Sequence, residues 1–332
     1  MSARTAAAKR TGVVSLRTAQ RTAAPRPARH YLSVLDLTAD EVERVLDTAA
    51  AFKRDRAAGR RGPRPLEGRH VALLFEKPSL RTRCTFTIAA RELGGDVIEP
   101  PAGVAMGGRE SLEDVAHNLE RWFAVCVVRT YGQDALRRFA AAATRMHVIN
   151  ALTDQEHPCQ VLADMLTLRE QLGKIAGRTI AYVGDGNNVA ASLAYVCGLL
   201  GVHLRVASPK GYELPAAVAA AAKNAAHDGA SLTLLTNPVD AVAGADAVYT
   251  DAWTSMGQEA ETARRERAFR PYQVNEALMS AAGADALFMH CLPAHRGAEV
   301  TDGVMDSPTS VVFEQAENRL HTQKALLALL AT

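Results

Sequence analysis

Thr179-Ile180-Ala181-Tyr182-Val183-Gly184-Asp185-Gly186-Asn187-Asn188 is the stretch that decides the fold. Its first five residues are a short β-rich apolar run, and the Gly/Asp/Asn cluster that follows is turn chemistry. A helix-length segment then leads to a second β-rich run, His203 to Ala207. Strand, turn, helix and strand in that order make a parallel βαβ unit. The same rhythm runs outward in both directions, with β-rich runs at Val71 to Phe75, Ala124 to Val128, His147 to Asn150, Leu232 to Leu235, Ala247 to Thr250 and Ala286 to Met289. Helical patterns separate them, so the fold class is α/β with parallel sheets.

The helices carry their own signals. Thr38 and Glu41 form a capping box, and Val42, Val45, Leu46, Ala49 and Phe52 recur at helical spacing, which predicts a helix to about Arg56. An amphipathic segment from His157 to Leu172, closed by Gly173, divides two α/β halves; the last helix, Arg319 to Leu330, can pack on either. A length of 332 residues at 48% hydrophobic suits two domains. No apolar run reaches the ~20 residues of a membrane span. The five cysteines are odd in number, scattered and without a CxxC pair, which excludes a disulfide scaffold and a zinc ribbon and points to a reducing compartment.

The formal charge of +2 is unevenly spread. Arg4, Lys9, Arg10, Arg17, Arg21, Arg26 and Arg29 crowd the first thirty residues with no acid among them, so the remaining chain is net acidic. Such a body does not advertise a nucleic-acid surface. Residues 1–29 read as a disordered extension. Their Arg-rich, acid-free composition also fits an organelle transit peptide, which would place the protein in an organelle matrix. A dispensable bacterial extension on a cytoplasmic protein is the preferred reading.

Chemistry is expected first in the loop after Val71 to Phe75, Glu76-Lys77-Pro78-Ser79-Leu80-Arg81-Thr82-Arg83. A helix beginning at Pro78 and Ser79 would bring free backbone N–H groups, hydroxyls and a dipole's positive end together. Arg81 and Arg83 complete an anion site, best suited to a phosphate. The turn Gly184 to Asn188 is a poor dinucleotide fingerprint, because Val189 stands where a glycine or alanine is wanted and Ser208 follows the next strand instead of an acid. Asparagine amides at a strand end suit a small polar ligand. Arg129, Asp251 and the run His290-Cys291-Leu292-Pro293 also close strands, where open α/β sheets bind ligands. Each alone has a bland alternative as cap, core residue or surface ion pair; together they argue for one crevice. No HxxxH or Cys/His spacing supports a metal, and no Gly-x-Ser-x-Gly elbow supports a serine hydrolase. A phosphate-bearing substrate beside a polar co-substrate remains, which is a transferase arrangement.

These motifs resemble the aspartate/ornithine carbamoyltransferase family, on its ornithine side. Ser79-Leu80-Arg81-Thr82-Arg83 is similar to its carbamoyl-phosphate loop, His157-Pro158-Cys159-Gln160 to its His-Pro-x-Gln element, Asp251 to Gly257 to its Ser-Met-Gly loop, and His290-Cys291-Leu292-Pro293 to the matching ornithine-side element. The resemblance runs from about Arg29 to the C terminus. It implies two parallel-sheet α/β domains with the active site in the cleft between them: residues 30–156, with helix 319–332 packing back, for carbamoyl phosphate, and 157–318 for ornithine. It implies a trimer or a multiple of trimers and no cofactor or metal. The implied ligands of carbamoyl phosphate are Ser79, the Leu80 backbone, Arg81, Thr82, Arg129, His157, Gln160, Cys291, Leu292 and Arg319. Those of ornithine are Asn188, Asp251, Ser255 and Met256. Arg129, His157, Cys291 and Arg319 are the implied catalytic groups. Leu80, Thr87 and Ala105 depart from the usual family pattern. The implied reaction transfers a carbamoyl group to the δ-amine of ornithine; N-acetylornithine or putrescine as acceptor, or a catalytically silent phosphate-binding homologue, are the alternatives.

Overall fold

A computed structural model describes residues 27–101, 106, 108–227, 229–255, 257 and 259–331. Met256, Ala105 and most of the basic extension lie outside the described residues. The first half runs α1 (Ala39–Ala57), β1 (His70–Phe75), α2 (Leu80–Glu92), β2 (Asp96–Ile98), α3 (Leu112–Leu119), β3 (Val125–Arg129), α4 (Gln133–Ala142) and β4 (His147–Leu152). Helix α5 (Pro158–Leu172) then crosses to β5 (Thr179–Val183), α6 (Asn188–Leu199), β6 (His203–Ala207), α7 (Ala216–Asn224) and β7 (Ser231–Leu235). After α8 (Pro238–Val242) come β8 (Ala247–Thr250), α9 (Thr262–Phe269), α10 (Glu276–Ala282) and β9 (Leu287–His290). The short α11 (Asp302–Met305) and the long α12 (Val312–Ala331) finish the chain.

The strands form two parallel sheets, ordered β2-β1-β3-β4 and β7-β6-β5-β8-β9. Successive side chains point to opposite faces, so each sheet feeds two cores. Val71, Leu73 and Phe75 face inward with Ile180, Tyr182 and the apolar sides of α5 and α12, while Ala72 and Leu74 join α3 and α4 on the outer face. Ala181, Val183, Val248 and Phe288 back onto α8 and α10. Double-sided burial explains why these strands read as continuous apolar runs.

Strand order also locates the ligand crevices. In the first sheet the winding reverses between β1 and β3, and in the second between β5 and β8. Ligands bind outside the carboxyl ends of strands at such switch points. The four loops involved are those beginning at Glu76, Thr130, Gly184 and Asp251, the strand ends singled out above.

Helix starts follow from their caps. Thr38 and Glu41 make both halves of the capping box on α1, an arrangement worth about 1 kcal/mol. Pro158 occupies the first turn of α5, where its missing N–H costs nothing, and Gly173 ends the helix at φ 72°. Gly186 is required by a close approach: a Cβ there would stand 2.4 Å from the backbone of Glu213 and Leu214.

Three expectations need correction, and one strand had not been expected. The last helix begins at Val312, not Arg319, because Glu314, Gln315, Glu317 and Asn318 hide its apolar period. It packs on α1, α2, α5 and β9. Strand β2 is short and mostly exposed, so it carries no apolar signal. The extension is anchored before its expected end at residue 29: Ala28 N–H donates to Thr144 O and Arg29 pairs with Glu41 at 2.7 Å. Finally, Arg83 does not join the anion site, as described below.

Candidate active site

A cleft of 1120 Å³ opens between the two sheets and is lined from both. One wall is the start of α2. Ser79 is its N-cap, with Oγ accepting from Thr82 N–H at 3.2 Å, and the Leu80 side chain projects into solvent. The first-turn N–H groups have no intrahelical acceptor and face an incoming anion, aided by the helix dipole. Arg81 stands beside them, and Arg129, at the end of β3, and Arg319, on α12, approach from behind. Register slips between Val128 and Arg129, which sets the end of β3 apart from the ladder.

Among the described residues, none of these three guanidinium groups has a carboxylate partner. Nε of Arg129 and of Arg319 is buried without an acceptor, and Arg319 Nη2 donates to Thr82 Oγ1 at 2.6 Å. Burial, then the Arg319 and Arg81 charges, bring Arg129 down to about 10. Burial and these three cations push the His157 imidazole well below its ordinary range, so it is neutral at pH 7. Uncompensated buried cations are costly, and an anion is what relieves the cost. Arg83 turns away instead, stacking on Phe75 and pairing with Glu99 at 2.6 Å.

The opposite wall is organised around Asp251. Its Oδ2 accepts from Asn187 Nδ2 at 2.8 Å and its Oδ1 from Cys291 Sγ at 3.0 Å. Burial and the Asp251 charge push the Cys291 thiol well up, so it stays protonated and donates. Asn188 lines the cleft while its amide donates to Thr153 O at 2.6 Å. Ser255 and Leu292 line it as well.

Thr82 and Gln160 stand behind the wall. Both are fully buried, and Gln160 donates to Asp164 at 2.9 Å, leaving its Oε1 unpartnered. His290 is likewise internal: Nδ1 accepts from Leu292 N–H at 2.9 Å and Nε2 lies 3.3 Å from Glu299. Asp251, His290 and Cys291 present donor atoms within 4.8 Å of one another. Both His290 nitrogens are engaged within the fold, by Leu292 N–H and by Glu299, and the Cys291 thiol is engaged by Asp251.

Several groups were not singled out beforehand. Lys77 is buried, pairs with Asp154 and sits 4.3 Å over the Tyr131 ring. Arg265 reaches from α9 to Asp185 at 2.8 Å and to Trp253 O at 3.0 Å, fastening the loop after Asp251 to the glycine turn. Glu156, next to His157, accepts from Val34 N–H at 3.1 Å and from Ser192 Oγ at 3.3 Å, and Ser192 Oγ takes His157 N–H at 2.9 Å. Asp164 had a visible signal, since a residue four after Gln160 on a helix shares its face.

Two family models cover nearly all of this architecture. Residues 29–170 match the aspartate/ornithine carbamoyltransferase carbamoyl-P binding domain, and residues 176–330 match the Asp/Orn binding domain. The chain belongs to the aspartate/ornithine carbamoyltransferase family. Within that family it is 50% identical over 305 residues to an ornithine carbamoyltransferase of Parafrankia sp. (strain EAN1pec), covering 91% of this chain and 96% of the relative. The solved ornithine carbamoyltransferase of Pyrococcus furiosus matches with a TM-score of 0.88 at 47% identity, over 91% of this chain and 96% of that one. That of Gloeobacter violaceus matches with a TM-score of 0.83 at 42% identity, over 92% and 100%. Among the described residues no helix is long and apolar enough to cross a membrane.

Proposed function

We propose that this chain transfers the carbamoyl group of carbamoyl phosphate to the δ-amine of L-ornithine, giving L-citrulline and phosphate. The observation that carries this reading is the pairing of unlike walls: buried cations with no counter-ion among the described residues at the α2 start, and a carboxylate, Asp251, across the cleft. The relatives named above support the choice of ornithine.

Ser79, the Leu80 backbone, Arg81 and Thr82 hold the phosphate, and Arg129 bridges phosphate and carbonyl. His157 and Gln160 orient the carbamoyl group. Asn188, Asp251 and Ser255, with Met256 from outside the described residues, hold the amino-acid end. Cys291 and Leu292 flank the reacting amine, and Arg319 serves the carbamoyl oxygen. Attack by the neutral amine places negative charge on that oxygen, where preorganised guanidinium groups act most strongly. Neutral His157 can donate to the same oxygen without adding a further buried charge. Phosphate leaves into a site already positive and carries off the proton that the attacking amine loses. Holding both substrates in one cleft supplies up to ~7–11 kcal/mol through orientation. Because burial and then the Asp251 carboxylate hold the Cys291 thiol protonated, it serves as a donor near the amine and not as its base.

The same reading divides the chain into a carbamoyl-phosphate domain, 30–156 with the C-terminal helix, and an ornithine domain, 157–318. It takes the working form as a homotrimer or a multiple of one. All five cysteines are unpaired, which supports a cytoplasmic setting. A silent homologue has no use for two buried arginines, Arg129 and Arg319, that have no carboxylate partner among the described residues and whose retention costs stability.

The test is citrulline formation by purified protein with ornithine, N-acetylornithine and putrescine in parallel. Ornithine is expected to be used best, with one phosphate released per citrulline. Faster turnover of either rival acceptor, or no turnover of any, overturns the assignment.

A further inference from the structure

Asp164 lies on α5 one turn beyond Gln160 and is completely buried. Its Oδ1 accepts from Nε2 of both Gln160 and Gln315 at 2.9 Å, and its Oδ2 from the Tyr249 hydroxyl at 3.1 Å. Gln315 in turn accepts His290 N–H at 3.0 Å. One carboxylate thereby ties α5, α12, β8 and the end of β9 together directly behind the cleft. Burial pushes its pKa up to about 6, against the pull of the Gln315, Gln160 and Tyr249 hydrogen bonds, so it is ionised at pH 8.

An ionised carboxylate only accepts hydrogen bonds. A primary amide held against it must therefore turn its NH2 towards it and its oxygen away, and the Gln160 Oε1 is buried without a partner among the described residues. Resting on the reading in which Gln160 meets the carbamoyl group, we propose that Asp164 is a positioning residue that fixes the polarity of the Gln160 amide. The substrate is thus offered an acceptor for its NH2, and carbamoyl phosphate is selected over an acyl phosphate carrying a methyl group in that place. Methyl and NH2 are close in size, so shape alone discriminates poorly between them. A buried acceptor left unpaired by the methyl discriminates well.

The proposal requires an acceptor at position 164, not a charge. In Asp164→Asn the amide oxygen can take both glutamine donors while Nδ2 donates to the Tyr249 hydroxyl, so the arrangement survives. Asp164→Leu releases it.

Acetyl phosphate is the probe. The ratio of its inhibition constant to the KM of carbamoyl phosphate, at pH 8 with ornithine saturating, reads the selection directly. Wild type is expected to discriminate by roughly 30-fold or more. Asp164→Leu and Gln160→Leu should both reduce the ratio to within about threefold of unity, while Asp164→Asn keeps it within about threefold of wild type. A ratio unchanged in Asp164→Leu, both ligands weakened alike, or a collapse in Asp164→Asn overturns the proposal. Should Asp164→Leu fail to fold, Gln160→Leu and Asp164→Asn decide: collapse in the first with retention in the second supports it, and any other pair overturns it. Wild type that forms no citrulline refutes the assigned reaction instead, which separates the two failures.

Discussion

The two walls of the cleft solve opposite problems. At the α2 start, Arg81, Arg129 and Arg319 converge with no carboxylate partner among the described residues, and the buried Nε atoms of Arg129 and Arg319 remain without acceptors there. At the opposite wall, Asp251 already holds Asn187 and Cys291, and Asp185 already holds Arg265. The first region is strained until an anion arrives. The two acids of the second are partnered before any ligand comes, and a bound ammonium group must exchange for internal partners. Uncompensated charge is where binding energy is stored, so the cationic wall should dominate catalysis while contributing least to stability.

The largest expected effect tests that contrast directly. Arg129→Met should lower kcat/KM for carbamoyl phosphate by ~10³-fold, since a preorganised donor to the developing oxyanion is lost. It should also leave the melting temperature equal to or above wild type, because an unpaired buried cation has been removed. A clear fall in melting temperature would mean Arg129 is structurally paired and the contrast is false.

Asp251→Asn should act the other way. We expect kcat/KM for ornithine to fall by ~10²-fold with the carbamoyl-phosphate KM changed less than about threefold, since a charge-assisted contact to one substrate is lost. Here the melting temperature should drop as well, as the Asn187 amide and the Cys291 thiol lose a carboxylate. Steady-state kinetics with each substrate varied, alongside thermal melts, give both answers.

The smallest effect lies at Glu156, which joins the wall carrying His157 to the turn at Val34 and to α6. Burial raises its carboxyl to about 7, from an ordinary 4.5. The native state therefore binds more protons than the unfolded chain between those values, so this group's contribution to stability is present in acid and lost as pH rises through 7. Glu156→Gln keeps an acceptor for Val34 N–H and Ser192. It should raise the melting temperature by roughly 3 °C at pH 8, with the gain shrinking towards pH 5. A constant gain, or a loss at pH 8, would show that the carboxylate is stabilised where it sits.

Much of the molecule was legible because its signals are local. Strand runs bounded by glycine and asparagine, the Thr38 box and Pro158 with Gly173 each report backbone preferences fixed within a few residues. Strands β5, β6 and β8 fall on the residues expected for them. The cationic loop was legible as well, because Ser79 caps a helix whose first turn must face outward.

Neither the destination of each side chain nor its protonation could be read that way. Arg83, two residues from Arg81, leaves the site because Glu99 and the Phe75 ring lie on its side of α2. Arg319 enters it because α12 packs across α2 and brings its guanidinium to Thr82, 237 positions earlier in the chain. The Gln160 amide is oriented by Asp164, itself held by α12 and β8, and His157 is neutral only because packing buries it among three cations. Sequence alone determined the elements and the chemical types at their ends, since backbone preference and periodicity act over a few residues. Tertiary structure alone decided which charges go unpaired, because desolvation and hydrogen-bond polarity depend on what distant segments bring alongside.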